Sequence, residues 1–331
     1  MNSRAALVSL HVAVLLFGLS GLIGKAVSSP ALVVTCLRSL VGAFALAAFL
    51  ALRRDHAMTA WRGRIGALFA GGALLAAHWW TFFAAIQQST VALGLLTYAS
   101  YPLFVTLLGW LVLRERPRRV DLFACMLVVA GLVLVVPDWN FGARVSLATA
   151  LGLASGFTFA ALTLLNRRLT ATMSPLPLVT AQTAVAGLLL LPLAAAQLPA
   201  VPARNWAWLI LLGIVFTGLA HACFTAALQR VRVAVVGVVA ALEPVYGIAA
   251  AWALFGDRPS PAMLAGGVLI IGASFLSLLP SSVPTLTMTP QGQAPNSSGN
   301  WHPVGTYRPC CLRHRSGGAR DHHQRRPRKG R

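Results

Sequence analysis

Long apolar runs separated by short polar gaps fill the first 280 residues of the chain. Each run holds about 20 residues, the length that an α-helix needs to cross the hydrocarbon core of a bilayer. The pattern therefore predicts an all-α integral membrane protein with ten transmembrane helices. The predicted spans are 5–24, 32–52, 65–87, 91–113, 121–136, 147–165, 176–196, 206–228, 233–255 and 262–279.

The ten spans divide into two similar halves, residues 1–139 and 140–280. The sequence FFAAIQ in the third span recurs as FTAALQ in the eighth, and the same displacement of 142 residues places Pro102 on Pro244. Because each half has five spans, an odd number, the second half must cross the membrane in the opposite sense. Two inverted five-helix repeats are an architecture of secondary transporters, which hold their substrate where the repeats meet.

The paired prolines lie in the middle of the fourth span of each half. Proline removes a backbone hydrogen bond, so each one predicts a break that frees a carbonyl one turn earlier, near Tyr98 and Ala240. Broken helices at matching positions indicate a transport site, and a simple packing kink is the alternative. We include Pro102 and Pro244 as hinges of the predicted transport pathway, together with Tyr98 and Tyr101.

The distribution of charge predicts how the chain lies in the membrane. Thirteen arginines occupy the N-terminal end and the gaps on the same side of the membrane, against four basic residues in the gaps on the other side. The positive-inside rule then places both termini in the cytoplasm. We expect a multi-pass protein of the cell (inner) membrane.

Composition supports a membrane location and argues against a soluble or nucleic-acid-binding protein. The chain is 57% hydrophobic and 10% charged, far less polar than a soluble protein of this length. Its formal net charge of +20 lies mostly beside the spans and in the tail, so nucleic acid is not a predicted partner. Residues 281–331 lack apolar periodicity, and we expect them to be disordered. This basic tail either touches anionic lipid headgroups or has no role.

Two charged residues, Glu243 and Arg38, lie inside predicted spans. A charge at mid-span costs roughly 2.5–3.5 kcal/mol on insertion scales, so Glu243 should face the protein interior. It can bind a substrate amine, carry a proton or pair with Arg38; a fixed structural ion pair or a neutral hydrogen-bonded acid is the alternative. Arg38 either binds a substrate carboxylate or extends to the outer interface. Its approximate counterpart in the second half, Gln182, retains the capacity for hydrogen bonds.

Two histidines, His78 and His221, nearly match across the repeat and differ by one position. Histidine titrates near neutral pH and suits a proton relay, although a lone membrane histidine is more often a structural hydrogen-bonding residue. The predicted pathway for substrate or protons comprises Glu243, Arg38, Gln182, His78, His221, Tyr98 and Tyr101.

The sequence offers no motif for catalysis. It contains no H-E-x-x-H, G-x-S-x-G or P-loop motif and no pair of deep acids, and Cys310 and Cys311 lack zinc-ligand spacing. We therefore expect no enzymatic activity, no cofactor and no metal. A passive channel or a structural or regulatory membrane protein is the alternative to a transporter, but one deep acid does not supply the polar rings of a pore.

Four stretches of the chain resemble motifs of the EamA family of the drug/metabolite transporter superfamily. They are FGLSGLIGK (17–25), CLRSLVGAFAL (36–46), YPLFVTLLGWLVLRERP (101–117) and EPVYGIAAAWALFGDRP (243–259). Their order and duplication carry the resemblance, which covers residues 5–280; Phe17 stands where tryptophan is usual, and Asp257 replaces a more typical glutamate. The resemblance implies transport of small metabolites by alternating access, often the export of amino acids or related amphiphilic compounds.

Overall fold

The computed structural model describes residues 3–53, 63–113, 117, 119–135, 143–231, 236, 239–240 and 242–276. Helices account for most of these residues, and none of them lies in a β-strand. The α-helices are α1 (Ser3–Ala26), α2 (Ala31–Leu52), α3 (Ile65–Gln88), α4 (Val91–Tyr98), α5 (Tyr101–Leu113), α6 (Arg119–Val135), α7 (Ala143–Leu169), α8 (Pro175–Ala194), α9 (Ala203–Gly213), α10 (Ala220–Leu228), α11 (Glu243–Phe255) and α12 (Pro261–Leu276). The predicted disordered tail lies outside the described residues.

Seven helical segments within the described ranges are long and apolar enough to cross a membrane. They are Arg4–Ala26, Ala31–Leu52, Ile65–Gln88, Val91–Val112, Arg144–Leu169, Pro175–Ala200 and Ala203–Leu228. Three further predicted spans correspond to shorter helices, α6 with 17 residues, α11 with 13 and α12 with 16. The chain is thus a multi-pass helical membrane protein, and the count of ten spans is not confirmed.

Local sequence sets several helix ends. The hydroxyl oxygen of Thr90 accepts a hydrogen bond from the N–H of Leu93 at 3.1 Å and caps the start of α4. Helix α8 begins with Pro175, whose missing N–H costs nothing in the first turn. Helix α11 ends at Phe255 and is capped by Gly256, whose φ of +69° is a left-handed conformation that glycine adopts readily.

Two interruptions of the helices coincide with the paired prolines. Helix α5 begins at Tyr101 after a two-residue turn, and Pro102 is its second residue. Helix α11 begins at Glu243, and Pro244 is its second residue. Each proline therefore stands in the first turn of a new helical segment, where it breaks no hydrogen bond. A third interruption, the π-helical turn Ile214–Leu219 between α9 and α10, is not predicted from the sequence.

Helices of the two predicted halves interleave. Helix α3 packs along α7 and α8, α1 along α10 and α11, α2 along α8 and α9, and α6 along α12. Glycines permit the closest approaches: a Cβ on Gly18 would lie 2.7 Å from the carbonyl oxygen of Glu243, and one on Gly131 would lie 2.7 Å from that of Gly266. Large apolar side chains such as Phe44 point outward, as lipid contact requires.

Candidate functional site

A small cavity lies where α1, α2, α3, α4, α7, α10 and α11 meet. Its volume is about 20 Å³, which is room for about one water molecule. The cavity brings together Arg38 and Glu243, the two charged residues predicted to lie deep in the membrane. Its lining consists of Phe17, Ser20, Arg38, His78, Trp79, Phe82, Tyr98, Phe159, His221 and Glu243.

Arg38 reaches the cavity from α2 and is only 1% exposed. Its Nε donates a hydrogen bond to Thr217 Oγ1 at 2.7 Å, and its Nη2 donates to the carbonyl oxygen of Phe216 at 3.1 Å. The guanidinium carbon also lies 4.4 Å from the ring centre of Trp79 and 4.9 Å from that of Phe83, within cation–π range. The Arg38 side chain is therefore enclosed within the protein.

The π-helical turn supplies both acceptors for Arg38. Thr217 Oγ1 donates its own proton to the carbonyl oxygen of Leu212 at 2.8 Å, so its lone pairs remain for the guanidinium. The carbonyl of Phe216 belongs to the same turn. Such π-turns occur frequently at functional sites, because they redirect backbone groups away from the regular helical ladder.

Glu243 is 4% exposed and begins α11. The hydroxyl of Tyr98, on α4, is placed to hydrogen-bond to its carboxyl group. The ring of Tyr101 stacks on that of Tyr98 with 5.9 Å between centres. Arg38 and Glu243 interact electrostatically across the cavity, but within the described part of the chain they do not form a direct ion pair.

The two histidines line the same cavity in different surroundings. His78 Nδ1 lies 3.1 Å from the carbonyl oxygen of Ser155 and 2.9 Å from its hydroxyl oxygen, so His78 ties α3 to α7. A carbonyl only accepts, which assigns the proton to Nδ1. The ring of His221 lies between Phe17 and Trp79, with ring centres 4.7 and 4.8 Å away.

Gln182 does not reach the cavity. It is buried, and its Nε2 donates a hydrogen bond to Asn166 Oδ1 at 2.7 Å, which connects α8 to α7. The side chain at this position thus differs from Arg38 in contacts as well as in charge. Tyr101 also lies behind the lining, in contact with Tyr98 and Phe159.

The aromatic wall of the cavity is the part that sequence reasoning misses. Phe17, Phe82 and Phe159 sit in apolar runs, where an aromatic residue facing a cavity has the same pattern as one in the core. Thr217 likewise gives no signal, because hydroxyl residues in membrane helices usually bond to their own backbone. Among the residues that the structure describes, no group of three His, Cys, Asp or Glu side chains could hold a metal ion.

Comparison with known proteins identifies relatives along most of the chain. The family model of the EamA-like transporter family matches twice, at residues 4–136 and 146–279. A solved crystal structure superimposes with a TM-score of 0.62 at 19% identity, over 84% of this chain and 98% of the other. At that identity, the likeness concerns the fold alone.

Among the similar curated proteins, CntI and YwfM are named as an exporter and a transporter, and the name of RarD states no function. The pseudopaline exporter CntI of Pseudomonas aeruginosa is 27% identical over 246 residues, which cover 74% of this chain and 84% of that protein. The uncharacterised transporter YwfM of Bacillus subtilis is 25% identical over 72% of this chain and 82% of its own length. Protein RarD of Escherichia coli is 30% identical over 59% of this chain and 66% of its own length.

Proposed function

Because the chain belongs to the EamA-like transporter family, we propose that it exports amino acids or related amphiphilic zwitterions as a secondary transporter. One observation carries this proposal. Arg38 and Glu243 line a single buried cavity from different helices without pairing directly with each other. A zwitterion carries the two charges that complement them.

The contacts of each residue suggest how such a ligand binds. Hydrogen bonds to Thr217 and Phe216 use two of the five N–H donors of Arg38, which leaves donors for a carboxylate. Glu243 then accepts from the ammonium group or carries a proton through the transport cycle. The aromatic residues around them provide contact area for an apolar side chain.

The size of the cavity supports alternating access. Ligand sites usually measure about 300–1,000 Å³, whereas this cavity measures about 20 Å³. The described conformation is therefore closed around the site, and a substrate requires the helices to separate. A passive channel would instead need a continuous open pathway through this part of the protein.

The helix contacts support two inverted five-helix repeats with ten spans, counting an interrupted helix as one. The first span of each half packs on the third span of the other, α1 on α10 and α3 on α7. The second spans pack on each other, as do the fifth, α2 on α8 and α6 on α12. A two-fold relation between residues 1–139 and 140–280 would produce this exchange. The family match, which occurs once in each half, agrees with it.

We place the protein in the cell (inner) membrane with both termini in the cytoplasm, on the charge count of the sequence. A small molecule is its proposed substrate, and protons are the proposed coupling ion. A transport role without enzymatic chemistry agrees with the named relatives, of which CntI is an exporter. A non-transporting membrane protein is the alternative.

Efflux from loaded vesicles tests the export proposal. Vesicles containing the purified protein are loaded with single radiolabelled amino acids, with and without a proton gradient. We expect saturable efflux of at least one amino acid and competition by unlabelled substrate. Efflux that never saturates would indicate a channel, and no efflux of any amino acid or amino-acid-like zwitterion would contradict the export proposal.

A further inference from the structure

We propose that the ion pair between Lys25 and Asp257 is a latch that closes one end of the cavity and opens during transport. The inference rests on the proposed alternating access, but it concerns residues outside the cavity. Lys25 lies in the last turn of α1, and Asp257 follows Gly256, the C-cap of α11. The pair therefore connects a helix of the first predicted half to a helix of the second.

The chain around Asp257 is shaped to make this contact. Gly256 adopts φ +69° and turns the chain out of α11. The Nζ of Lys25 lies 5.8 Å from the ring centre of Phe255, the last residue of α11. Lys25 thus contacts two residues at the end of α11, and the negative end of the α1 dipole favours its charge.

The latch stands close to the cavity. Ser20 lines the cavity, and Lys25 follows five residues later, a rise of about 7.5 Å along α1. Between them, a Cβ on Gly21 would lie 3.1 Å from the side chain of Ile86, so α1 packs tightly on α3.

Beyond this thin barrier, Lys25 also lines an open vestibule of about 500 Å³ with Ser28, Ser29 and Gln87. Separating α1 from α3 at Gly21 would join the cavity to the vestibule, and the pair with Asp257 restrains this end of α1.

The pair is suited to breaking and reforming. The Lys25 and Asp257 side chains are 29% and 24% exposed, so water can replace each partner when they separate. Partly exposed pairs contribute little to stability, so breaking this one costs the fold little. Further along α1, a Cβ on Gly18 would lie 3.1 Å from the backbone nitrogen of Gly247, a close crossing about which the two helices can tilt.

Cysteine labelling tests the latch without any substrate, so its failure and the failure of the export proposal are distinguishable. The reporter is Ser20→Cys in purified protein, with Cys125, Cys223, Cys310 and Cys311 replaced by serine. Native Cys36 is kept as an internal control because it is buried between α2 and α8, away from the cavity. The rate of thiol labelling is followed separately at each site by mass spectrometry.

We expect Lys25→Ala and Asp257→Ala to raise the labelling rate of the reporter about twofold to fivefold, as expected for loss of a partly exposed ion pair. The rate at Cys36 should not change. Arg258→Ala, which removes the neighbouring charge, is the matched control and should behave as the parent. The double swap Lys25→Asp with Asp257→Lys should restore slow labelling.

Two results would overturn the latch. One is an unchanged reporter rate in both single variants. The other is an equal rise at the reporter and at Cys36, which would show that the pair only stabilises the fold. If an alanine variant does not fold, Lys25→Gln and Asp257→Asn take its place, and an unchanged reporter rate in both overturns the latch.

Discussion

Arg38 and Glu243 are each held by uncharged neighbours. Thr217 and Phe216 bond to the guanidinium, Trp79 and Phe83 cover its faces, and Tyr98 is placed to hydrogen-bond to the carboxyl group of Glu243. A buried charge without a partner is expensive, and these polar and aromatic contacts reduce that cost. The absence of a direct ion pair between these two residues is what the proposed binding of a zwitterion requires.

Replacing Glu243 by glutamine should separate function from folding. Glu243→Gln keeps the shape and most hydrogen bonding but removes the charge, and a hydrogen bond to a charged group contributes about 1.5–3 kcal/mol. We expect transport to fall about tenfold or more while the protein inserts and purifies like the parent. Initial rates of efflux between pH 5.5 and 8.5 measure the effect.

Asp121→Asn is the control for this experiment, since it removes an acid from the first turn of α6, away from the cavity. It should transport at the parent rate. Normal transport by Glu243→Gln, with an unchanged dependence on pH, would give Glu243 a structural role and would remove it from the site.

Glycine determines how closely the helices around the site approach one another. Gly18 of α1 faces the backbone of Glu243, and Gly247 faces Gly18 in turn, with a Cβ on Gly247 2.9 Å from the Gly18 carbonyl oxygen. The crossing of α1 and α11 therefore lies directly beside the backbone of Glu243. Its geometry depends on the absence of two side chains, as in other membrane helix pairs that meet through small residues.

Adding one methyl group at this crossing should destabilise the protein. A Cβ on Gly18 would lie 2.7 Å from a carbonyl oxygen that cannot move freely, and overpacking of this kind costs about 1–3 kcal/mol. We expect Gly18→Ala to unfold at a lower temperature than the parent in detergent. Gly272→Ala is the matched control because nothing lies within 4 Å of the added carbon, and it should unfold at the parent temperature or slightly above. Equal thermal shifts in both variants would contradict the tight crossing.

The proposed orientation of the molecule in the membrane rests on the distribution of its charges. Arg167 lies in the last turn of α7 on the side predicted to be cytoplasmic, and Arg144 lies at the opposite end of the same helix. In a background without native cysteines, a membrane-impermeant thiol reagent applied to intact cells should label Arg144→Cys and spare Arg167→Cys. Labelling of Arg167→Cys from outside, with Arg144→Cys protected, would invert the proposed topology.

The sequence predicted the membrane class, the family and the two deep charged residues, because these depend on composition and on local pattern. Apolar runs of about 20 residues specify membrane helices whatever they pack against. Glu243 and Arg38 stand out because a charged side chain within the hydrocarbon core is costly and is usually retained for a function. The positions of Pro102 and Pro244 likewise predicted where new helical segments begin.

Only the tertiary structure decided which side chains meet. Gln182, the approximate counterpart of Arg38 in the repeat, bonds to Asn166 instead of reaching the cavity. The π-helical turn that holds Arg38 has no sequence signal, and the aromatic wall follows the same apolar pattern as the core. The physical reason is that helix formation is local, whereas the cavity is made by seven helices whose crossing angles and close approaches depend on packing across the whole bundle.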